Sequence, residues 1–511
     1  MFRTKENVYI TGLDQLSEVL VHPRHVLALA ATLALGTAVV ATPAHAAAPT
    51  PHVLHIGIDG LLATRVDAAN APNLKKLRAE GTDGRSLLYA NPMAATSSGP
   101  GWSTMLTGVW PDKHLVKDNS FSGNKLNQYP DWLSRAESAN PALNTWAAMD
   151  WKAIGDNIIG NGLDTKLVYN GDADGYVGHD ATIATKAETH LRDDAADATF
   201  AYFGQVDIVG HNSGASSQAY LTEIARIDGY VGRLLAAVAA RPNRANEKWL
   251  VLVGTDHGHT PSGGHGGSTL DERTTFVLAW GDGVGVAKPK TTRLVDLPAT
   301  ALTHLGVAVP AVLDGRPVTQ VDADPFESVT LKPAVMESIP ASILGWNSVL
   351  PAGWSRDTSA LPAGGVTEWA GWSLTTDAFW TSAQRDQGRE TFVRGRGTIA
   401  VADSDEWADT TASTGKTYDS TLWTPSKAVA GTTVKVNLTH WYRQEGNQRG
   451  YVVVKWNGGA TQTVKTYSAD SVNGPDSLTL TAPAGATNVQ VGFRLVGVNN
   501  WYWAIDDVRV S

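Results

Sequence analysis

The sequence predicts an α/β protein, a doubly wound and mainly parallel sheet, followed by an all-β jelly-roll sandwich. Two observations carry this. From about residue 52 to 320, short β-rich runs alternate with helical segments, as strand–helix–strand units do when they build a parallel sheet. After about residue 335 the chain turns to short alternating strands separated by Gly, Asn, Pro and Ser turns. Eleven of the 18 tryptophans fall in that last third, as expected of a sandwich core, although aromatic residues there could also stack sugars.

The elements follow in order. A basic patch at Arg24 and His25, the apolar run Val26 to Val40 and the small-x-small triplet Ala44-His45-Ala46 read as a signal peptide over residues 1–46. The run has about 15 residues, short of the roughly 20 a membrane span needs, so no permanent membrane anchor is expected. Residues 47–330 form the α/β unit, with strands at His52–Ile58, Phe200–Gln205, Lys248–Val253 and Thr274–Trp280 and helices at Ala71–Glu80, Gln218–Ala240 and Pro298–Leu305. Ser120–Thr199 reads as an insertion without an interpretable motif. Residues 331–345 are a linker, and 346–511 are the sandwich, with strands at Thr432–Leu438, Gly450–Trp456, Ser477–Thr481 and Asn488–Leu495.

Composition narrows the chemistry. With 41 Lys plus Arg against 50 Asp plus Glu, the formal charge is −9, which gives no overall basic footprint for a nucleic acid duplex. Cysteine is absent, so disulfides, thiolate ligands and a cysteine nucleophile are excluded. A metal site must draw on His, Asp, Glu, Ser or Thr.

Such residues cluster at predicted strand ends, where a doubly wound sheet presents its site. Asp59 ends the first strand. Ser98 opens a tight turn into a helix, with Pro100 suited to the first helical turn and free backbone N–H groups that attract a phosphoryl oxygen. Asp207 and His211 are four positions apart, a spacing at which two ligands converge on one ion. Asp256 and His257 end another apolar strand, and His265 follows among glycines. His259, in the same loop, reads equally well as a solvent-facing histidine and is not counted in the set. Asp59, Ser98, Asp207, His211, Asp256, His257 and His265 together suit two borderline divalent ions clamping an in-line phosphoryl displacement.

Taken in order, these residues resemble the alkaline phosphatase superfamily, particularly its type I phosphodiesterase/nucleotide pyrophosphatase branch, over roughly residues 50–310. The resemblance rests on Ile58-Asp59-Gly60, Ser98-Gly99-Pro100-Gly101, Leu106-Thr107-Gly108, Pro111-x-x-His114, Asp118-Asn119, Asp207-x3-His211 and Asp256-His257-Gly258. It implies a metal-dependent phosphoric ester hydrolase, using two ions of the zinc type, acting on a small phosphoester through a covalent phospho-serine at Ser98. It implies one metal on Asp207, His211 and His265, the other on Asp59, Asp256, His257 and Ser98, and Asn119 holding a nonbridging phosphate oxygen.

Three departures shape the substrate reading. The nucleophile position is serine where this branch more often has threonine. His265 follows His257 by eight residues, a compact spacing closer to the phosphoethanolamine-transferase relatives. No Lys-x-Arg pair can be placed to grip a monoester's extra charge, as in some monoesterase relatives, Lys152 being the one weak candidate. A diesterase is therefore favoured over a phosphomonoesterase or a head-group transferase. A sulfatase is disfavoured because Trp102 stands where those enzymes place arginine, and a non-catalytic glycan-binding protein is disfavoured by the retained site. The segments Ala400–Trp407 and Trp501–Asp507 resemble accessory jelly-roll modules of secreted bacterial hydrolases. That implies secretion and a glycan or cell-wall contact, while the acidic cluster Asp403, Asp405, Glu406 and Asp409 offers oxygen ligands of the kind Ca²⁺ takes.

Overall fold

A computed structural model of the chain describes residues 48–193, 195–320 and 323–511. The proposed signal segment lies outside the described residues. Strand β1 (Thr50–Ile58) is buried from Val53 onward, because a central parallel strand is covered on both faces and needs no polar alternation. Then follow α1 (Pro72–Glu80), β2 (Thr82–Leu87), α2 (Ser98–Thr107), α3 (Pro111–His114), α4 (Trp132–Ala139), β3 (Thr145–Met149), α5 (Lys152–Asn157), β4 (Thr165–Val168), α6 (Gly171–Asp174) and α7 (Tyr176–Asp193). The unit is completed by β5 (Ala198–Phe203), α8 (Gln205–Ser213), α9 (Gln218–Ala239), β6 (Glu247–Gly254), α10 (Leu270–Arg273), β7 (Thr274–Gly281) and α11 (Asp296–His304).

These strands form one seven-stranded sheet in the order β2-β7-β6-β1-β5-β3-β4. β1 runs parallel to β5 and β6, and only β7 is antiparallel to its neighbours. Two apolar cores cover the faces. One gathers Trp102, Met105, Leu133, Ile154 and Leu302 from α2, α4, α5 and α11. The other gathers Leu74, Ile183, Val206, Ile227 and Val231 from α1, α7, α8 and α9. The stretch 120–199 is not an insertion: it supplies β3 and β4 to the sheet, and Trp132 and Trp146 are buried in the two cores.

The C-terminal region is built from β8 (Trp346–Asn347), β9 (Ser355–Asp357), β10 (Ser373–Thr376), α12 (Asp377–Ala383), β11 (Thr398–Asp403), α13 (Ser404–Ala408), β12 (Tyr418–Trp423) and β13 (Lys427–Ala428). It continues with β14 (Thr433–Tyr442), β15 (Arg449–Trp456), β16 (Gln462–Tyr467), β17 (Ser471–Thr481), β18 (Asn488–Gly497) and β19 (Tyr502–Val510). Two antiparallel sheets result, β17-β14-β19-β11-β10-β8 and β16-β15-β18-β12-β9, with β13 beside β18. Their inner faces meet over Val436, Val452, Phe493 and Trp503. Residues 331–345 are no free connector: Ile339 enters this core, and backbone N–H groups of Val335, Met336 and Glu337 donate to the Glu368 carboxylate.

The acidic cluster assigned to Ca²⁺ already holds a cation. The buried Arg389 guanidinium pairs with Asp403 and Glu406, and Asp405 accepts from Gln387. A calcium ion there would face a charge it cannot displace. Eight of the eleven C-terminal tryptophans are buried, and the partly exposed Trp501 lies under the Arg443 guanidinium at 3.6 Å, so their main use is packing.

Candidate metal centre and nucleophile

The parallel strands β1, β5 and β6 end side by side, and their C-terminal turns carry the candidate residues. Asp59 follows β1, and its Oδ2 accepts from Trp102 Nε1 at 2.7 Å and Tyr202 Oη at 2.6 Å. Trp102 reaches it because Gly57 leaves the strand bare: a Cβ there would lie 2.5 Å from the indole. Two donors on one oxygen leave Asp59 Oδ1 buried without a partner. Asp256, after β6, repeats the pattern: Oδ1 accepts from the Gly60 N–H at 3.1 Å, and Oδ2 is buried and unpartnered.

His257 Nε2 stands between these free oxygens, 3.6 Å from Asp59 Oδ1 and 3.3 Å from Asp256 Oδ2. Its Nδ1 lies 3.0 Å from the Gly258 carbonyl, which places the proton on Nδ1 and the lone pair on Nε2. Ser98 Oγ lies 3.3 Å from the same Nε2, at the first residue of α2. Gly99 and Gly101 permit this entry, since a Cβ at either would fall under 3 Å from the backbone at Asp118 or Asp256.

A second group adjoins the first. Asp207 and His211, one turn apart on α8, bring Oδ2 and Nε2 to 3.4 Å. His265 Nε2 lies 2.9 Å from His211 Nε2 and 3.6 Å from Asp207 Oδ1, while its Nδ1 meets the Thr96 carbonyl at 2.9 Å. Asp207, His211, His259 and His265 form one set of mutually close ligand atoms, and Asp59, Asp256 and His257 form another. All seven sequence-selected residues therefore meet at one edge of the sheet.

His259 is the residue the sequence left open. It is fully buried, its Nε2 is 2.7 Å from Asp207 Oδ1, and Gly60 and Gly210 make room for its ring. The Asp-His-Gly-His spacing was the available signal, since a turn after a strand can bring positions i and i+2 to one site. Lys152, by contrast, forms an exposed ion pair with Asp156 on α5.

Electrostatics set the donors against one another. Burial, then Asp256 and Asp207, hold the Asp59 carboxyl well above the usual range, and burial raises Asp256 likewise. Burial and His265 push His257 well below the ordinary histidine value. Burial also acts to raise Asp207, but the His259 hydrogen bond and the surrounding imidazoles outweigh it and bring the group to about 2. Neutral imidazole lone pairs and orphaned carboxylate oxygens at hydrogen-bonding distances are the donor set a borderline divalent cation takes. The residues present fit such ions.

Asn119 completes the constellation. Its Oδ1 accepts the Gly99 N–H at 2.7 Å, which ties this side chain to the residue after Ser98 and leaves its amide N–H groups uncommitted to that bond.

Comparison with known proteins shows the family. Residues 53–341, more than half of the chain, match the family described as Type I phosphodiesterase / nucleotide pyrophosphatase. A rat protein, ectonucleotide pyrophosphatase/phosphodiesterase family member 3, is 25% identical over 224 residues, 41% of this chain and 25% of its own length. GPI ethanolamine phosphate transferase 1 of Schizosaccharomyces pombe is 33% identical over 79 residues, 16% of this chain and 8% of its own. The matched stretch thus spans a quarter or less of either relative. Among solved structures, murine ectonucleotide pyrophosphatase/phosphodiesterase 5 in complex with AMP aligns over 51% of this chain and 96% of its own at 14% identity and a TM-score of 0.41. A 2-O GAG sulfatase aligns over 53% and 73% at 16% identity and 0.41. The sequence match and the site it encloses make this chain a member of the type I phosphodiesterase/nucleotide pyrophosphatase family.

Proposed function

We propose that the chain is a secreted phosphodiesterase that uses two divalent ions, of the zinc type, and a covalent phospho-serine at Ser98. The observation that carries this reading is the position of Ser98 Oγ, 3.3 Å from His257 Nε2 and beside two converging ligand sets. Asp207, His211 and His265 would hold one ion, and Asp59, Asp256, His257 and Ser98 the other. Bound there, the ions lower the pKa of a coordinated hydroxyl or water and neutralise developing phosphoryl charge.

The chain's own residues account for the remaining steps. Ser98 Oγ gives its proton to solvent water and attacks phosphorus in line, and the bond to the departing ester oxygen breaks as the phospho-serine forms, the leaving oxygen taking a proton from water. Water then attacks the same phosphorus, the Ser98 bond breaks, and a phosphomonoester leaves. The N-terminal end of α2 favours negative charge at Ser98, and the Asn119 amide donates to a nonbridging oxygen. Trp102 and Tyr202 hold Asp59 in register throughout.

A diester is favoured because Lys152, the one residue the sequence offered to grip a second phosphate charge, pairs with Asp156. Secretion rests on the signal-like segment 1–46, and among the described residues no helix is long and apolar enough to cross a membrane. A glycan or cell-wall ligand for the sandwich belongs to the same reading and rests on the kind of module it resembles.

The test compares hydrolysis of bis-p-nitrophenyl phosphate with p-nitrophenyl phosphate, with chelation, zinc restoration and Ser98→Ala. Preference for the diester, lost on chelation and in a Ser98→Ala protein that still binds metal, is expected. Preference for the monoester would move the chain to the phosphatases. Metal-independent turnover would end the reading.

A further inference from the structure

A basic cavity lies away from the candidate metal centre. A cavity of about 610 Å³ opens beside β2 and is closed by the β7–α11 loop and by Thr376, Asp377 and Gly397 of the C-terminal region. In a chain of net charge −9, this cavity is lined by five cations, Arg78, Arg85, Lys288, Lys290 and Arg293, against two aspartates. Both aspartates are already committed. Asp83 accepts from Arg78 at 2.9 Å, and both oxygens of Asp377 accept from Arg273 at 2.8 and 2.9 Å.

The remaining cations have no carboxylate to themselves. Arg85 Nη1 is buried without a hydrogen-bond partner, a costly state for a guanidinium N–H that an anion would relieve. Burial and the adjacent Arg78 pull the Arg85 group below the usual arginine range, which marks the same crowding. Arg293 bonds only carbonyls, of Thr292 and Gly395. Lys288 and Lys290 are exposed and make no ion pair among the described residues. The backbone of Ala287, just before them, bonds to Gly81 and Asp83 along the open edge of β2.

We propose that this cavity binds a phosphoryl group, with Arg85, Lys288 and Lys290 as its recognition residues. Two sources of that group fit, free inorganic phosphate or a further phosphate on an oligomeric phosphodiester. The second would place the scissile ester at Ser98 and a later phosphate of the same chain in this cavity, on the edge strand of the sheet whose central strands carry the candidate site.

The binding step stands apart from the metal-dependent reading; only the oligomer arm rests on it. Inorganic phosphate is titrated calorimetrically into the full chain, metal-loaded and chelated, as wild type, Lys288→Gln/Lys290→Gln and Arg85→Gln. A chelator-resistant phosphate site, weakened about tenfold or more in the lysine variant, is expected. The lysines are exposed, so that variant keeps the fold whatever Arg85→Gln does. Steady-state kinetics on a thymidylate decamer and on bis-p-nitrophenyl phosphate then separate the sources. A KM raised for the decamer alone assigns the site to substrate. Unchanged KM values with lost phosphate binding assign it to free phosphate. Phosphate binding that chelation abolishes, or that the lysine variant leaves intact, overturns the site. Failure of all hydrolysis with the site intact would strike only the phosphodiesterase reading.

Discussion

At the scale of single residues, the site is shaped as much by missing side chains as by ligands. Gly210 sits inside α8, where alanine would ordinarily gain about 1 kcal/mol. A Cβ there would lie 2.6 Å from the His259 ring, and overpacking of this kind costs roughly 1–3 kcal/mol, so the clash decides the sign. Gly210→Ala should lower the urea midpoint. Gly229→Ala, in α9 with nothing within 4 Å of its Cβ, should raise stability by about 0.5–1 kcal/mol, and equal shifts in both would contradict the packing argument. His259 itself orients a carboxylate that ligates, in the proposed reading, and loss of such a partner typically weakens a metal about 10–100-fold. His259→Asn should show that loss in a competition titration against a chromophoric chelator, with the other ion still bound.

At the scale of elements, α2 depends on the segment that follows it. His114 is fully buried, accepts the Val116 N–H at Nδ1 and meets Thr104 Oγ1 through Nε2, both at 3.0 Å. It therefore straps the loop carrying Asn119 onto α2, which explains a Pro-x-x-His motif with no ligand role. His114→Ala should cost on the order of 2–4 kcal/mol in urea unfolding while the metal content per chain stays at the wild-type value; a loss of metal without a loss of stability would reverse that assignment. The central strands β1, β5 and β6 were readable in the sequence because they are continuous apolar runs. β2 was not, since Thr82-Asp83-Gly84-Arg85-Ser86-Leu87 has one large apolar side chain, nor was the alanine-rich β3. Ligands at strand ends were readable for the same reason as their strands, whereas His259 depends on a turn whose direction the sequence does not display. The Ca²⁺ expectation failed because Arg389, from the segment just upstream of the acidic cluster, folds into it.

At the scale of the molecule, buried neutral histidines tie stability to pH. Burial lowers His55 and His114 to about 3 and His440 to about 4, from 6.5. Between those values and 6.5 the unfolded chain binds protons that the native chain does not, so each of these histidines lowers stability as pH drops, by up to roughly 1.4 kcal/mol per pH unit, while the raised Asp59 and Asp256 carboxyls act in the opposite sense. The histidine contribution is therefore read as a difference: from pH 7.5 to 5 the urea midpoint of the chelated wild type should lose more than that of His440→Gln, and equal losses would contradict neutral burial. The same burial governs what the metal centre does for the chain. The Asp59 and Asp256 oxygens buried without a partner carry a desolvation cost that a shared cation would relieve. Ion binding at a hundred times its Kd would contribute about 2.7 kcal/mol per site, so stripping the ions should lower the melting temperature and speed proteolysis. In the proposed reading the lifetime of the folded chain would then follow the local supply of metal, and a strong chelator would remove the fold together with the activity.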